Sequence, residues 1–247
     1  MENSQNNAVI DEKEKLKQQK KQKKEIKKQN KKYLSKMRFY RTVVFLLTGI
    51  IRLLFRMKIR GRENMPKDGA CFVCCNHLSN WDPIFLAISV KRPVHFMAKK
   101  EIFSVPVLKN IVTLLGAFPV DRETADITAI KTALNHIKHG NALGIFPQGT
   151  RCRGKAPETL PIKSGTGMMV YKTESDVVPV SIYTKGYKIF LFKRVYVEIG
   201  KPIKFEEYNA GEKSPAEYQR ISDIIFGRIC AQVHASEAEA DSKKADS

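Results

Sequence analysis

From Gly69 onward the chain alternates short β-rich runs with segments of helical periodicity, and this alternation limits its fold more than any other feature. The candidate strands are Ala70–Cys75, Val94–Ala98, Ala117–Val120, Leu143–Phe146, Val177–Tyr183 and Phe190–Ile199. One helix is predicted from Ile127 to Ile137, ending near Gly140, and another begins with a capping box at Ser214. Elements in this order predict an α/β fold, in which a single mixed sheet is covered by helices.

Composition narrows the class of protein further. The chain has 247 residues, 43% of them hydrophobic, which is enough for one domain with a sizeable core. No uncharged apolar run reaches the ~18 to 20 residues of a spanning helix, which excludes a polytopic membrane protein. The segment Met1 to Glu14 lacks the basic-then-apolar order of a secretory signal, so we expect a cytoplasmic protein. Five cysteines, an odd number, indicate reduced thiols.

Positive charge is concentrated near the N-terminus. Residues 1–62 carry 19 Lys and Arg against 5 acids, whereas residues 63–247 carry 25 against 20. Residues 1–35 form a Lys-rich arm with too few apolar side chains to bury a face, so we expect a solvated helix or disorder. Such an arm is either a solubilising tail or a contact with an anionic surface, lipid or nucleic acid.

The next segment, residues 36–60, is apolar over most of its surface and carries basic residues at both ends. This pattern favours a helix that lies in the membrane interface while its Arg side chains reach phosphate head groups. A core helix of the domain is the alternative. The domain itself is predicted over residues 61–235, and residues 236–247 are predicted to be a disordered polar tail.

A polar turn after the first candidate strand carries His77 and, five residues later, Asp82. Pro83 suits the first turn of a helix over Ile84–Val90, with Asp82 as its N-cap. A carboxylate fixed there can accept a hydrogen bond from one imidazole nitrogen and leave the other free as a base. The simpler alternative is that Asp82 only caps the helix and His77 only ends the strand.

Further clusters follow later candidate strands. Arg122 and Arg151 offer planar forks that suit a phosphate, and Gly149 lets backbone N–H groups approach one closely. Lys163 adds a cation beside a predicted helix start, which is itself a position that favours anions. Each cluster alone could be an ordinary surface turn.

The spacing of Cys71 and Cys74 is that of a metal-binding or redox pair. Residues three apart in a strand point to opposite faces, and no second pair completes a metal site. We therefore predict no metal there.

Taken in order, these motifs resemble those of the glycerolipid acyltransferases of the 1-acyl-sn-glycerol-3-phosphate acyltransferase family. The matching segments are His77 to Asp82 (His-x4-Asp), Gly116 to Arg122, Phe146 to Arg151, and Val178 to Val180, within about Gly61 to Gly200. Gln148 departs from the family pattern, which usually has Glu there. The Gln side chain keeps the shape and one acceptor oxygen but loses the charge.

The resemblance implies transfer of a fatty acyl group from acyl-CoA or acyl-carrier protein to the sn-2 hydroxyl of 1-acyl-glycerol-3-phosphate, making phosphatidic acid for phospholipid synthesis. It implies that His77 is the general base and that Asp82 orients it. The residues implied in holding the acceptor phosphate are Arg122, Gly149, Thr150, Arg151 and Lys163. Gln148 is a further candidate for substrate binding, and the resemblance places Val178, Pro179 and Val180 on the acyl-donor side.

The resemblance also implies an acyltransferase domain without cofactor or metal, at the cytoplasmic face of the cell membrane as a monotopic or peripheral protein. Its expected partners are the lysophosphatidic acid-type acceptor, the acyl donor and an anionic membrane surface, with no nucleic acid. Two alternatives stay open. One is a related acyltransferase for glycerol-3-phosphate, another lysophospholipid or an amino-lipid. The other is a catalytically inactive protein whose basic arm binds membrane or nucleic acid.

Overall fold

The computed structural model of the protein describes residues 42, 48–90, 92–114, 116–121 and 126–245. From residue 48 onward these residues fall in one compact unit, Val44–Ser247. The strands are β1 (Lys58–Arg60), β2 (Cys71–Cys75), β3 (Val94–Lys99), β4 (Ala117–Val120), β5 (Ala142–Ile145), β6 (Val177–Tyr183) and β7 (Tyr196–Ile199). The helices are α1 (residues 48–54), α2 (Asp82–Ser89), α3 (Pro106–Leu114), α4 (Ile127–Lys138), α5 (Gly165–Thr173) and α6 (Pro215–Ala245).

All seven strands form one sheet in the order β1-β7-β6-β2-β5-β3-β4. β6 and β7 pair antiparallel, and the other neighbouring strands pair parallel. β2 lies in the middle, where Cys74 is opposite Ile145 of β5 on one side and Pro179 of β6 on the other. The predicted α/β fold with one mixed sheet is confirmed.

Helices cover both faces of the sheet, and β2 shows why. Its five residues are all buried, and they alternate between two apolar clusters. Val73 packs on the side of α1 and α2, whereas Phe72 packs on the side of α4, α5 and α6. Strands of parallel sheets are usually buried on both faces. Such a strand needs a continuous apolar run, as in Cys71–Cys75.

The N-terminal segment differs from the helix predicted over residues 36–60. Residues 36–41 and 43–47 lie outside the described residues, and residues 58–60 form β1, which pairs with β7. In α1 and the turn after it, Ile51 and Phe55 are buried in the core. One face of α1 therefore packs in the core, as in the core-helix alternative. That this segment lies in the membrane interface stays a prediction. Within the described residues, no helix combines the length and apolar character needed to cross a bilayer. The arm, residues 1–35, lies outside the described residues.

The last predicted strand is shorter in the structure than in the sequence pattern. Only Tyr196–Ile199 joins the sheet, whereas residues 190–192 form an exposed turn. Phe192 has a φ of 64°, in the left-handed region, which is incompatible with an extended strand.

The C-terminal segment also differs from its prediction, because α6 continues to Ala245 through residues predicted to be a disordered tail. Ser236 is buried, and Glu239 forms ion pairs with Lys58 and Arg60 of β1. These contacts with the edge strand β1 stabilise the helical conformation of a segment that has few apolar side chains. Residues 246 and 247 lie outside the described residues.

Candidate active site

The sheet brings the loops after β2 and β5 together. The two strands are parallel neighbours, so their carboxyl ends lie at the same edge. The loop after β2 carries His77, and the loop after β5 carries Phe146 to Arg151. Open α/β sheets generally bind ligands outside the carboxyl ends of their strands.

His77 and Asp82 are hydrogen-bonded to each other. His77 Nδ1 donates to Asp82 Oδ2 across 2.7 Å, and both side chains are buried. The same oxygen accepts from the backbone N–H of Leu78 at 2.6 Å and of Ser79 at 2.7 Å. The two backbone donors on one oxygen favour the carboxylate form of Asp82, which can only accept hydrogen bonds. Nδ1 of His77 is then the donor to Asp82, and Nε2 is the ring nitrogen without a contact to it.

Asp82 differs in one respect from the sequence prediction. The N-cap of α2 is Trp81, and Asp82 is the first helical residue. Its carboxylate turns back to the preceding loop, where it also accepts from Ser79 Oγ at 3.1 Å. The loop from His77 to Asp82 is therefore folded around this buried carboxylate, and its helix-capping role is minor.

Two further contacts fix the ring and the backbone of His77. Its ring stacks on Phe146, with centroids 4.1 Å apart and an angle of 19° between planes. Its backbone carbonyl accepts from the N–H of Cys152 at 2.8 Å. A ring held by a carboxylate, an aromatic face and its own backbone loses little entropy when a substrate arrives, which favours base catalysis.

Gln148 is 2% exposed and joins the two loops. Its Oε1 accepts from the backbone N–H of His77 at 2.9 Å, while its Nε2 donates to Pro157 O at 3.0 Å and to Cys152 Sγ at 2.8 Å. One end of the amide must be an acceptor and the other a donor, so its orientation is fixed by its partners. Gln148 therefore positions the backbone of His77.

Two of the predicted cationic residues, the half-buried Arg151 and the exposed Lys163, lie beside this centre. Arg151 Nη1 donates to Asn80 Oδ1 at 2.7 Å, which brings the guanidinium to the His77 loop. The backbone N–H of Lys163 donates to Pro147 O at 3.0 Å. Gly149 has a φ of 66°, and a Cβ there would lie 3.4 Å from Lys163 Cε, so the lysine side chain crosses over this turn.

Thr150 and Arg122 are also predicted to bind phosphate. Thr150 is exposed in the same loop as Arg151. Arg122 lies outside the described residues, so its place relative to the site stays a prediction.

The structure does not bring Val178, Pro179 and Val180 to the open side of the site. All three are buried in β6, opposite Val73 to Cys75 of β2. They lie in the strand that pairs with β2, the strand that precedes the His77 loop.

The cysteines of β2 are poor candidates for a nucleophile or a metal pair. Cys71 packs into one apolar cluster and Cys74 into the other, as expected for residues three apart in a strand. Burial raises the pKa of the Cys71 thiol to about 11 and raises the pKa values of Cys74 and Cys75 further, which disfavours thiolates. Among the described residues, no cluster of three or more His, Cys, Asp or Glu could hold a metal ion.

Two asparagines contribute to the site without having been assigned a role from the sequence. Asn80 binds Arg151, and Asn76 exchanges two 2.8 Å hydrogen bonds with the backbone of Ile182. The second pair ties the end of β2 to β6, where the loop of His77 begins. Their position in the polar turn between strand and helix was the available signal.

Residues 56–183 match the Acyltransferase family. The chain is 32% identical over 168 residues to the 1-acyl-sn-glycerol-3-phosphate acyltransferase of Bacillus subtilis, covering 66% of this chain and 82% of that protein. It is 26% identical over 180 residues to the protein of the same name from Borreliella burgdorferi, covering 69% of each.

The fold is similar to the crystal structure of the 1-acyl-sn-glycerophosphate (LPA) acyltransferase, PlsC, from Thermotoga maritima. The TM-score is 0.58 at 24% sequence identity, with 74% of this chain and 72% of that chain covered. The sequence matches, on a sheet with His77 and Asp82 at its carboxyl edge, establish that the chain belongs to the 1-acyl-sn-glycerol-3-phosphate acyltransferase family.

Proposed function

We propose that the protein transfers a fatty acyl group from a thioester donor, acyl-CoA or acyl-carrier protein, to the sn-2 hydroxyl of 1-acyl-glycerol-3-phosphate. The observation that carries the proposal is the 2.7 Å hydrogen bond between His77 Nδ1 and the buried carboxylate of Asp82. It leaves Nε2 as the basic nitrogen at the edge of the sheet. The names of the related proteins supply the acceptor class.

In the proposed reaction, His77 Nε2 takes the proton of the acceptor hydroxyl as its oxygen attacks the thioester carbonyl carbon. Asp82 stabilises the imidazolium that forms. The tetrahedral intermediate collapses with cleavage of the C–S bond, and the imidazolium returns the proton to the leaving thiolate. General-base assistance of this kind contributes about 10² to 10⁴ in rate.

We assign the acceptor phosphate to the cationic side of the site, formed by Arg151, Lys163 and the turn at Gly149 and Thr150. Arg151 can bind phosphate with two parallel hydrogen bonds, whereas Lys163 supplies a point charge. Arg122 is a further proposed ligand from sequence alone.

The proposed location is the cytoplasmic face of the membrane, because a lysophospholipid acceptor and its diacyl product both reside in a bilayer. Residues 61–235 are the proposed acyltransferase domain. The Lys-rich arm, residues 1–35, and the apolar segment that follows it are proposed to contact anionic lipid.

The test crosses four acceptors with two donors, using purified full-length protein. The acceptors are 1-acyl-glycerol-3-phosphate, glycerol-3-phosphate, a lysophosphatidylcholine and an acyl-amino acid, and the donors are acyl-CoA and acyl-carrier protein. The His77→Ala variant is the matched blank. We expect transfer to 1-acyl-glycerol-3-phosphate that His77→Ala lacks. Preference for another acceptor identifies a sister activity, and no transfer to any acceptor favours the inactive binding protein.

A further inference from the structure

The turn between β6 and β7 exposes three large apolar side chains in a row. Phe190, Leu191 and Phe192 are 60%, 55% and 66% exposed. Two residues of α1, Ile50 and Leu53, are exposed to a similar extent. Together these five residues are called the apolar edge patch. Isolated exposed apolar residues are common on proteins, but a consecutive triplet with two bulky neighbours indicates a surface for a partner.

The apolar edge patch is held in place by the backbone. Phe192 N–H donates to Leu54 O at 2.5 Å, and Val195 N–H donates to Phe55 O at 3.1 Å. The turn is thereby joined to the residues that follow α1. Phe192 holds its left-handed φ of 64° on this rigid frame, a conformation that a bulky side chain rarely adopts.

The charge around the apolar edge patch is of one sign. The segments 42–62 and 177–197 contain no Asp or Glu. Exposed cations flank the patch in both segments, namely Arg52, Arg56, Lys188 and Arg194. Lys193 Nζ lies 5.8 Å from the ring centroid of Phe190, at the base of the turn. Apolar side chains at the tip with cations behind them match a bilayer of anionic lipid, whose phosphates lie above its acyl chains.

Residues next to the apolar edge patch contact the loops of the active site. Phe55, which follows α1, lies 5.0 Å from the ring of Trp81 in the His77 loop. The side chain of Lys188 lies against Gly154, just after Arg151. A membrane bound to this surface would therefore adjoin the open side of the site.

We propose that residues 188–194, with Ile50 and Leu53, form a docking surface that inserts Phe190, Leu191 and Phe192 into the interface of an anionic bilayer. This surface is separate from the Lys-rich arm. The purpose of this surface, delivery of a lipid acceptor, rests on the proposed function. Insertion itself requires no turnover.

Insertion is measured with a tryptophan at the tip of the turn. The chain has a single Trp, so Trp81→Phe provides a background for Leu191→Trp and, as matched control, Ile127→Trp. Ile127 is 64% exposed on α4, which packs on the other face of the sheet. The full-length proteins are mixed with vesicles of phosphatidylglycerol and phosphatidylcholine, with and without brominated acyl chains, at about 1 M salt to screen the arm.

We expect emission of the Leu191→Trp variant to shift to shorter wavelength and to be quenched by brominated lipid, while the Ile127→Trp variant shows neither change. Unchanged emission of the Leu191→Trp variant on vesicles that sediment the protein would overturn the proposal. So would a blue-shifted, concentration-dependent emission without lipid, which would mean that a second copy covers the patch.

A second variant links docking to turnover. Phe190→Ser combined with Phe192→Asn removes two apolar side chains, and Asn tolerates the left-handed φ, so the fold is preserved. We expect vesicle affinity at high salt and transfer to bilayer-embedded acceptor to fall by about tenfold or more, with transfer to a short-chain monomeric acceptor unchanged. Equal loss with both acceptors would contradict a docking role. If the wild type uses neither acceptor, the proposed function fails, and the vesicle measurements still decide the inference.

Discussion

Two groups of histidines lie at opposite edges of the same sheet. His77 follows the carboxyl end of β2 and donates to the carboxylate of Asp82. His95 lies near the amino end of β3, donates from Nδ1 to Gly116 O at 3.1 Å and stacks on His136 of α4 with ring centroids 4.0 Å apart. Both groups are packed against aromatic rings, but among the described residues only the first has an anionic partner.

The surroundings of the second group oppose positive charge. Burial lowers the pKa of His95, where the charge of Arg92 acts in the same direction and the hydrogen bond to Gly116 O opposes it. Burial also lowers the pKa of His136 to about 4, and the neighbouring rings of His95 and His139 add to this decrease. These rings stay neutral and pack. A carboxylate on Nδ1, rather than burial or stacking, therefore distinguishes a histidine able to accept a proton during turnover.

The largest expected effect is that of His77→Ala, which removes the proposed base. Transfer should fall by about 10² to 10⁴ while the fold is retained, because the side chain is one of several contacts that hold its loop. His136→Phe is the matched control and should keep near wild-type turnover. Steady-state rates with circular dichroism on both variants make the comparison, and a folded His77→Ala protein with a tenth of wild-type activity would contradict the assignment.

Asp82→Asn isolates the charge from the hydrogen bonds. The amide oxygen can take the place of Oδ2, which accepts from His77, Leu78 and Ser79, so the loop geometry should survive. The negative charge that stabilises the imidazolium is lost, and we expect kcat to fall by about 10 to 10³. Thermal unfolding provides the control: Asp82→Ala should be less stable than Asp82→Asn, because it leaves buried donors unpaired. Wild-type kcat for Asp82→Asn would mean that only geometry matters.

Arg151→Ala tests the exposed side of the centre. Because its guanidinium is held by Asn80 alone among the described residues, it is available to a ligand. Loss of one charge-assisted contact of about 1.5 to 3 kcal/mol should raise KM for the phosphate-bearing acceptor about 10- to 100-fold. KM for the donor and kcat should change little. Lys155→Ala, a change at an exposed cation in the same loop, is the control. Equal increases in both KM values would reassign Arg151 to the donor.

Much of the fold follows from periodicity. The predicted β4 and β6 have the bounds seen in the structure, those of β2 and β3 differ by one residue at one end, and β5 is shifted by one residue at both ends. Apolar character alone cannot tell a buried strand from an exposed turn, so Phe190 was assigned to β7. β1 was missed because its cations are balanced by Glu239, a partner distant in sequence.

In the candidate site too, the local contacts follow from the sequence and the long-range contacts do not. The pairing of His77 with Asp82 follows from a five-residue spacing in one turn. The contacts of Gln148 with His77 and of Arg151 with Asn80 each join residues 71 apart. Only the pairing of β2 with β5 brings those loops together, and no local pattern encodes it. Helical periodicity likewise predicts α4, but it does not specify the buried face: the structure buries Ala129, Ala133 and Ile137 and leaves Ile127 exposed.

Gln148→Glu tests whether the neutral amide matters to His77. A carboxylate still accepts from the N–H of His77, but it faces Pro157 O, which needs a donor. Burial raises the pKa of a carboxyl group at this position, and the protonated form can replace the amide. We expect activity within about tenfold of wild type at pH 6, with the ratio to wild type falling as pH rises. Gln148→Met, which cannot titrate, should give a constant ratio; a constant ratio for Gln148→Glu would contradict the argument.

The smallest effect concerns the stability contributed by the neutral His95 and His136 pair. The pKa of His136 is about 4 in the folded protein and about 6.5 in an unfolded chain. Between these values the unfolded chain binds more protons, so stability falls as pH decreases through this window and is unaffected above pH 7. Because both rings are half-buried, solvent screens the effect, and we expect a difference in Tm of about 1 to 3 °C. His136→Phe preserves stacking on His95 and Phe118 but cannot titrate. Its Tm should therefore fall less than that of wild type between pH 7 and pH 5 in scanning calorimetry, whereas equal decreases would show that other groups control acid stability.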